Sequence, residues 1–110
     1  TIMKTAIELI ADERQRQIEV EGWTKQHDLI HKDGELVAAA LCYIDAPNIK
    51  GMPPFWPWDF EWFKPTPNDR VRELVKAGAL LMAEQDRLVF EIDQLLNTAR
   101  LTNKASSEEN

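Results

Sequence analysis

Gly34-Glu35-Leu36-Val37-Ala38-Ala39-Ala40-Leu41-Cys42-Tyr43-Ile44-Asp45 is the stretch that decides the fold. It holds no proline, no glycine past its first residue and a run of three alanines, so it reads as a helix over residues 34–45. Asp33 stands in the right place to cap it. From Leu36 to Ile44 the helix is apolar on every side, and a helix without a polar face must be covered all round. It is too short to span a membrane. It therefore belongs at the centre of a small helical bundle, or in a subunit interface. The fold expected is all-α, with no sheet beyond a trivial hairpin.

Upstream, residues 3–21 read as a first helix. Met3, Ile7, Ile10, Arg14 and Ile18 recur at helical spacing, and Gly22 supplies a stop. The opposite side carries Glu8, Asp12, Arg16 and Glu19, the pattern of a solvated face. Residues 23–32 show no clean period and read as a loop or a single helical turn.

Downstream, six of the nine aromatic residues fall between Phe55 and Phe63. Prolines 53, 54, 57 and 65 bar that segment from a helix interior. So long a connection, spanning 46–65 between the second and third helices, is either functional or packed down as an Ω-loop. Thr66-Pro67-Asn68-Asp69 then reads as the start of a third helix. Unbroken to about residue 99, that helix would run about 50 Å. The other two cannot cover it, so a bend, a break or an end paired with another subunit is expected. Residues 1–101 read as one helical domain, residues 102–110 as a disordered polar tail, and the chain as a homo-oligomer, at least a dimer.

Nineteen acidic against thirteen basic residues leave a net charge of -6, which argues against duplex DNA as a partner. Cys42, the one cysteine, excludes an internal disulfide framework. With no spanning stretch and no secretory leader pattern, the expected location is the cytoplasm and no membrane partner is expected.

Candidate site residues lie in three places. On the third helix Glu73, Lys76, Leu80, Glu84 and Arg87 share a face at three- and four-residue steps. Lys76, among Val75 and Ala77-Gly78-Ala79, is either paired with Glu73 or aimed into a pocket. On the first helix Glu13, Arg14, Arg16 and Gln17 are candidates to face the same space. Arg14, which interrupts the apolar stripe, needs a buried carboxylate or a phosphate. Between the two helices, Glu35 complements the dipole of the central helix. With His27, Asp28, His31 and Asp33 it makes a metal-capable cluster, although His-x3-His without a third ligand is poor zinc spacing. In the aromatic loop some rings must seal the core, and a surplus, with Trp56 and Trp58 as candidates, is free to stack on a nucleobase. No Gly-rich phosphate loop or nucleophile elbow is present.

Glu13-Arg14-Gln15-Arg16-Gln17, Gly22-Trp23, His27-Asp28, Gly34-Glu35-Leu36-Val37-Ala38-Ala39-Ala40, Trp56-Pro57-Trp58-Asp59 and Leu74-Val75-Lys76-Ala77-Gly78-Ala79-Leu80 together resemble a family of small phage- and prophage-encoded helical proteins. The resemblance covers most of residues 8–88. More distantly, the arrangement is similar to the MazG-like all-α nucleotide pyrophosphohydrolases. Those hold Mg2+ with Glu-x-x-Glu on one helix and Glu-x-x-Asp on a later one. Glu35 stands at the second acid of the first pair, with Lys32 three residues before it. Glu73 stands at the first acid of the second pair, with Lys76 where the aspartate belongs.

Three readings follow. The first is a phage-type nucleotide-binding protein that sequesters its ligand, for instance an immune signalling nucleotide, without a cofactor and without hydrolysing it. Lys76, Arg14, Glu35, Glu73, Glu84, His27, Asp28, Trp56 and Trp58 are its candidate ligand-binding residues. The second is a Mg2+-dependent pyrophosphohydrolase, with Glu35 and Glu73 catalytic and Glu35, Glu73 and Asp28 holding the metal. The third is an inhibitor that grips a host protein through the Trp loop.

Overall fold

The structure, a computed structural model, describes residues 3–108. It is all-α, and the described residues contain no strand. Helix α1 spans Ala6–Glu19. Its start is fixed by a reciprocal cap, in which the Thr5 hydroxyl accepts from the Glu8 N–H and the Glu8 carboxylate accepts from the Thr5 N–H. Gly22, at φ +77°, then turns the chain into the short α2, Lys25–Leu29. Helix α3 spans Glu35–Asp45, and α4 runs without a break from Arg70 to Glu108.

Two helix starts differ from the sequence expectation. Asp33 does not cap α3; Gly34 does, in a left-handed conformation at φ +89° that glycine adopts without strain. The Asp33 N–H instead donates to Glu35 Oε1 at 2.7 Å. At α4 the cap is Asp69, whose Oδ1 accepts from the Arg72 N–H at 3.0 Å. Thr66 closes the turn before it, with its carbonyl accepting from the Asp69 N–H.

The core lies between α3 and α4. Leu36, Ala39, Ala40, Cys42 and Tyr43 of α3 meet Ala77, Leu80 and Ala83 of α4, and Trp56 and Phe63 of the loop seal one side. Alanine on both faces lets the two axes approach closely. Gly78 serves the same end against α1, since a Cβ there would meet the Ile10 side chain at 2.8 Å.

Two expectations fail on burial within the single chain, and a third differs in extent. Helix α3 is not covered on every side, because Val37, Leu41 and Ile44 remain exposed. On α1 only part of the expected stripe faces inward: Arg14 is buried and Ile10 and Ile18 are half-buried, with Glu13 and Gln17 buried beside them, whereas Met3 and Ile7 are exposed. Helix α4 continues past residue 101 as one element. Residues 102–108, read from the sequence as part of a tail, continue it, and Leu88 through Ser106 are all exposed. The last two residues of that expected tail lie outside those described. At 39 residues α4 is about 58 Å long, within a molecule whose longest extent is 66 Å. No described helix is long and apolar enough to cross a membrane.

The loop over residues 46–69 is pinned at both ends and in its middle. Arg70, the first residue of α4, donates to the terminal carbonyls of α3, Tyr43 at 3.2 Å and Ile44 at 2.5 Å. Trp56 Nε1 donates to the Asp59 carbonyl at 3.0 Å, and the Lys64 N–H donates to the Tyr43 hydroxyl at 3.1 Å.

Candidate functional site

The folded loop lies against the end of α1, α2 and the middle of α4, and two cavities open along that junction. One, of about 420 Å³, is walled by Trp23, His27, His31, Trp58 and Trp62, with Glu21 and Asp59 at its edge. The other, of about 230 Å³, is lined by Glu13, Arg16, Gln17, Tyr43, Lys64, Arg72 and Lys76. They adjoin, sharing Glu21, Trp23 and Trp62. The larger has the size and the apolar, aromatic character of a small-molecule site.

The aromatic wall is ordered ring against ring. Trp23 lies parallel to His27 at 6.5 Å between centroids, Trp58 stands 5.7 Å from Trp23 and 5.1 Å from His31, and His27 meets His31 edge-on at 4.6 Å. His31 Nδ1 faces Glu35 Oε2 at 3.1 Å, and its Nε2 faces His27 Nε2 at 3.4 Å. Glu35, despite the opposing pull of desolvation, is held below the usual carboxylate range by His31 and by the Asp33 N–H.

The smaller recess is cationic. Four basic side chains, Arg16, Lys64, Arg72 and Lys76, surround two carboxylates, in a chain whose net charge is -6. Glu13, almost wholly buried, takes Arg16 at 2.7 Å, Arg72 and the Gln17 amide. Burial pushes the Glu13 carboxyl up, but the two guanidinium groups outweigh it and hold it below the usual range. Glu21 takes Arg16 at 3.1 Å and stands 3.9 Å from Lys64.

Lys76 stands apart from these pairs. Among the described residues no carboxylate lies within 4 Å of it. Its Nζ donates to the Lys64 carbonyl at 2.6 Å and sits 5.6 Å from the centre of the Tyr43 ring. Burial, and then the neighbouring Arg72 charge, push its pKa below the ordinary lysine value. A buried ammonium without an anion is a costly arrangement that an incoming anion relieves. Beside it Gln17 Oε1 is buried and, among the described residues, has no hydrogen-bond partner.

Of the nine candidate ligand-binding residues read from the sequence, Lys76, His27 and Trp58 line these cavities. The other six lie elsewhere. Trp56 is a core residue. Arg14 and Asp28 form a buried ion pair at 2.5 Å. Glu73 faces Arg70, Glu84 binds Arg87, and Glu35 sits behind His31.

Arg16 and Gln17, grouped with Arg14 in the sequence, line the recess that Arg14 itself does not reach. Arg72, Trp23 and Trp62 belong to the site without having been candidates. One signal for Arg72 was legible: it stands one turn before Lys76, and two like charges at that spacing repel unless an anion lies between them.

Glu35, Glu73 and Asp28 each face a different basic or imidazole group, and no group of three or more His, Cys, Asp or Glu residues among those described is placed to hold a metal. No protein-family model, curated protein or solved structure matches this chain.

Proposed function

We propose that this chain binds a nucleotide and retains it without hydrolysis. The observation that carries the reading is the junction of the two cavities, where an aromatic wall sized for a base opens onto a recess with a surplus of positive charge. A base stacked on Trp58 and Trp23 gains about 1–3 kcal/mol. Its phosphate then reaches the Lys76, Arg16 and Arg72 cluster, and Gln17 Oε1 accepts from a sugar hydroxyl or an exocyclic amine. Retention rather than turnover is supported by the carboxylates: each of the three named as metal ligands is held at a different basic partner. The resemblance to phage-encoded proteins adds the biological setting, in which the chain soaks up a signalling nucleotide of bacterial immunity.

The test is incubation with a panel of linear and cyclic nucleotides, with and without a chelator, followed by separate measurement of depletion and breakdown. Depletion without breakdown, insensitive to chelation, is expected. Lys76→Ala removes a charge-assisted interaction worth about 1.5–3 kcal/mol and lowers affinity roughly tenfold to a hundredfold. Mg2+-dependent release of monophosphate would replace this reading with the pyrophosphohydrolase. A panel left wholly undepleted, together with binding to a host protein that Trp62→Ala abolishes, would replace it with the inhibitor.

A further inference from the structure

From Leu88 to Ser106 every residue of α4 is exposed, and past Gln94 no cavity or neighbouring helix borders it among the described residues. Leu88, Val89, Ile92, Leu95 and Leu96 form one stripe along it, each between 44% and 66% exposed. Leu88 and Leu95 continue a seven-residue series begun by Leu74 and Leu81, and the stripe has the a, d and e pattern of a helix that packs against another helix.

Intrinsic propensity does not explain why this segment is helical. Asn97, Thr98, Thr102 and Asn103 are poor helix formers, and the Thr98 and Thr102 hydroxyls bond back to carbonyls four residues earlier, at 2.9 and 3.0 Å. A segment of this length and composition is marginal in water without packing.

We infer that the stripe is the seat of a second copy of this chain, paired antiparallel along the outer halves of α4. Charge sets the direction. Among the exposed charges, residues 85–93 carry Asp86, Glu91 and Asp93, whereas 94–106 carry Arg100 and Lys104 and no acid. An antiparallel pair lays the acidic segment of each copy beside the basic segment of the other; a parallel pair stacks like on like.

The apolar pattern sets the register. With Ile92 opposite the partner copy's Leu95, the two central layers are apolar, Val89 meets Leu96, Leu88 meets the small Ala99, and Gln85 meets Thr102 at the rim. The nucleotide groove opens beside α1, α2 and the loop and takes no residue from this stripe, so pairing and binding are separable.

Light scattering on the full chain at tens of micromolar is expected to give roughly twice the monomer mass of 12.7 kDa, and Ile92→Asp with Leu95→Asp to give the monomer with nucleotide retention unchanged. Orientation is read by disulfide trapping, for which the buried Cys42 is a quiet background. Leu88→Cys mixed with Ala99→Cys should cross-link between copies, and Leu88→Cys alone should not. A monomer mass for the unaltered chain, or self-linking of Leu88→Cys, overturns the proposal.

Discussion

The two halves of α4 differ in what they bury. From Arg70 to Arg87 the inward face holds Glu73, Lys76, Glu84 and Arg87, all buried, while Leu74 and Leu81 look outward. Beyond Arg87 no side chain is buried through Ser106, and the apolar residues lie in the open. One continuous helix thus buries four charges beside the apolar Val75, Ala77, Ala79, Leu80 and Ala83, and leaves every leucine but Leu80 exposed. Apolarity alone did not choose the inner face; neighbours able to satisfy a charge had a part in it. Glu73 and Glu84 have their arginines one turn away on α4 itself, and Lys76 has the loop carbonyl and the Tyr43 ring. Such an interior is stable only while every partner remains in place.

The largest effect should come from removing one of those partners. Asp28→Ala strands Arg14, whose side chain is 8% exposed, and should cost about 3–5 kcal/mol of stability, measured by urea unfolding. A loss below about 1 kcal/mol would mean the interior tolerates unpaired charge, and the contrast between the halves would lose its cause.

A second effect lies in pH. The folded-state pKa of Lys76 is below its ordinary value, so the folded chain gives up that proton before the unfolded chain does. Stability gains from this group as pH rises through the lowered pKa toward the unfolded value of about 10.4. Anion binding should move the other way, falling about tenfold across the same window, and Lys76→Arg should flatten the fall because arginine stays charged. Titrating affinity with calorimetry in the alkaline range checks this. A flat wild-type profile would detach Lys76 from the ligand.

The smallest effect belongs to the outer half. Leu101→Ala at a protein concentration low enough to hold the chain monomeric should change stability by no more than about 0.5 kcal/mol, read from the thermal midpoint. A larger loss would mean that this half packs on its own bundle.

How much of this was legible in the sequence follows the same division. The all-α fold and the existence of the main helices followed from the Leu36–Ile44 run and from turn chemistry at Gly22 and before Arg70, all local signals. The inward face of α1 followed in part: Glu13, Arg14 and Gln17 stood out as polar residues able to face inward, but periodicity marks apolar residues and so drew in Met3 and Ile7, which are exposed. Arg16 fitted both the solvated side and this group, and it binds the buried Glu13. Trp56 and Trp58 could not be told apart, since two residues at that spacing on an extended segment share a side. What places Trp56 in the core is its indole bonding back to Asp59 and its ring against Tyr43. Lys76 drew notice because a lysine among alanines and a glycine is locally anomalous, and it lines the smaller recess.

Arg70 has a consequence for how such a protein can change over generations. By clasping the last carbonyls of α3 at the first residue of α4, it brings together the ends of a stretch of 24 intervening residues. The entropy of closing such a stretch grows only with the logarithm of its length, about 0.6 kcal/mol per doubling. Insertions beyond Phe63 and before Thr66, or between Ile49 and Met52, therefore weigh little on the helices. The loop's share of the larger cavity's wall, Trp58, Asp59 and Trp62, can thus be rewritten as a cassette without refounding the core.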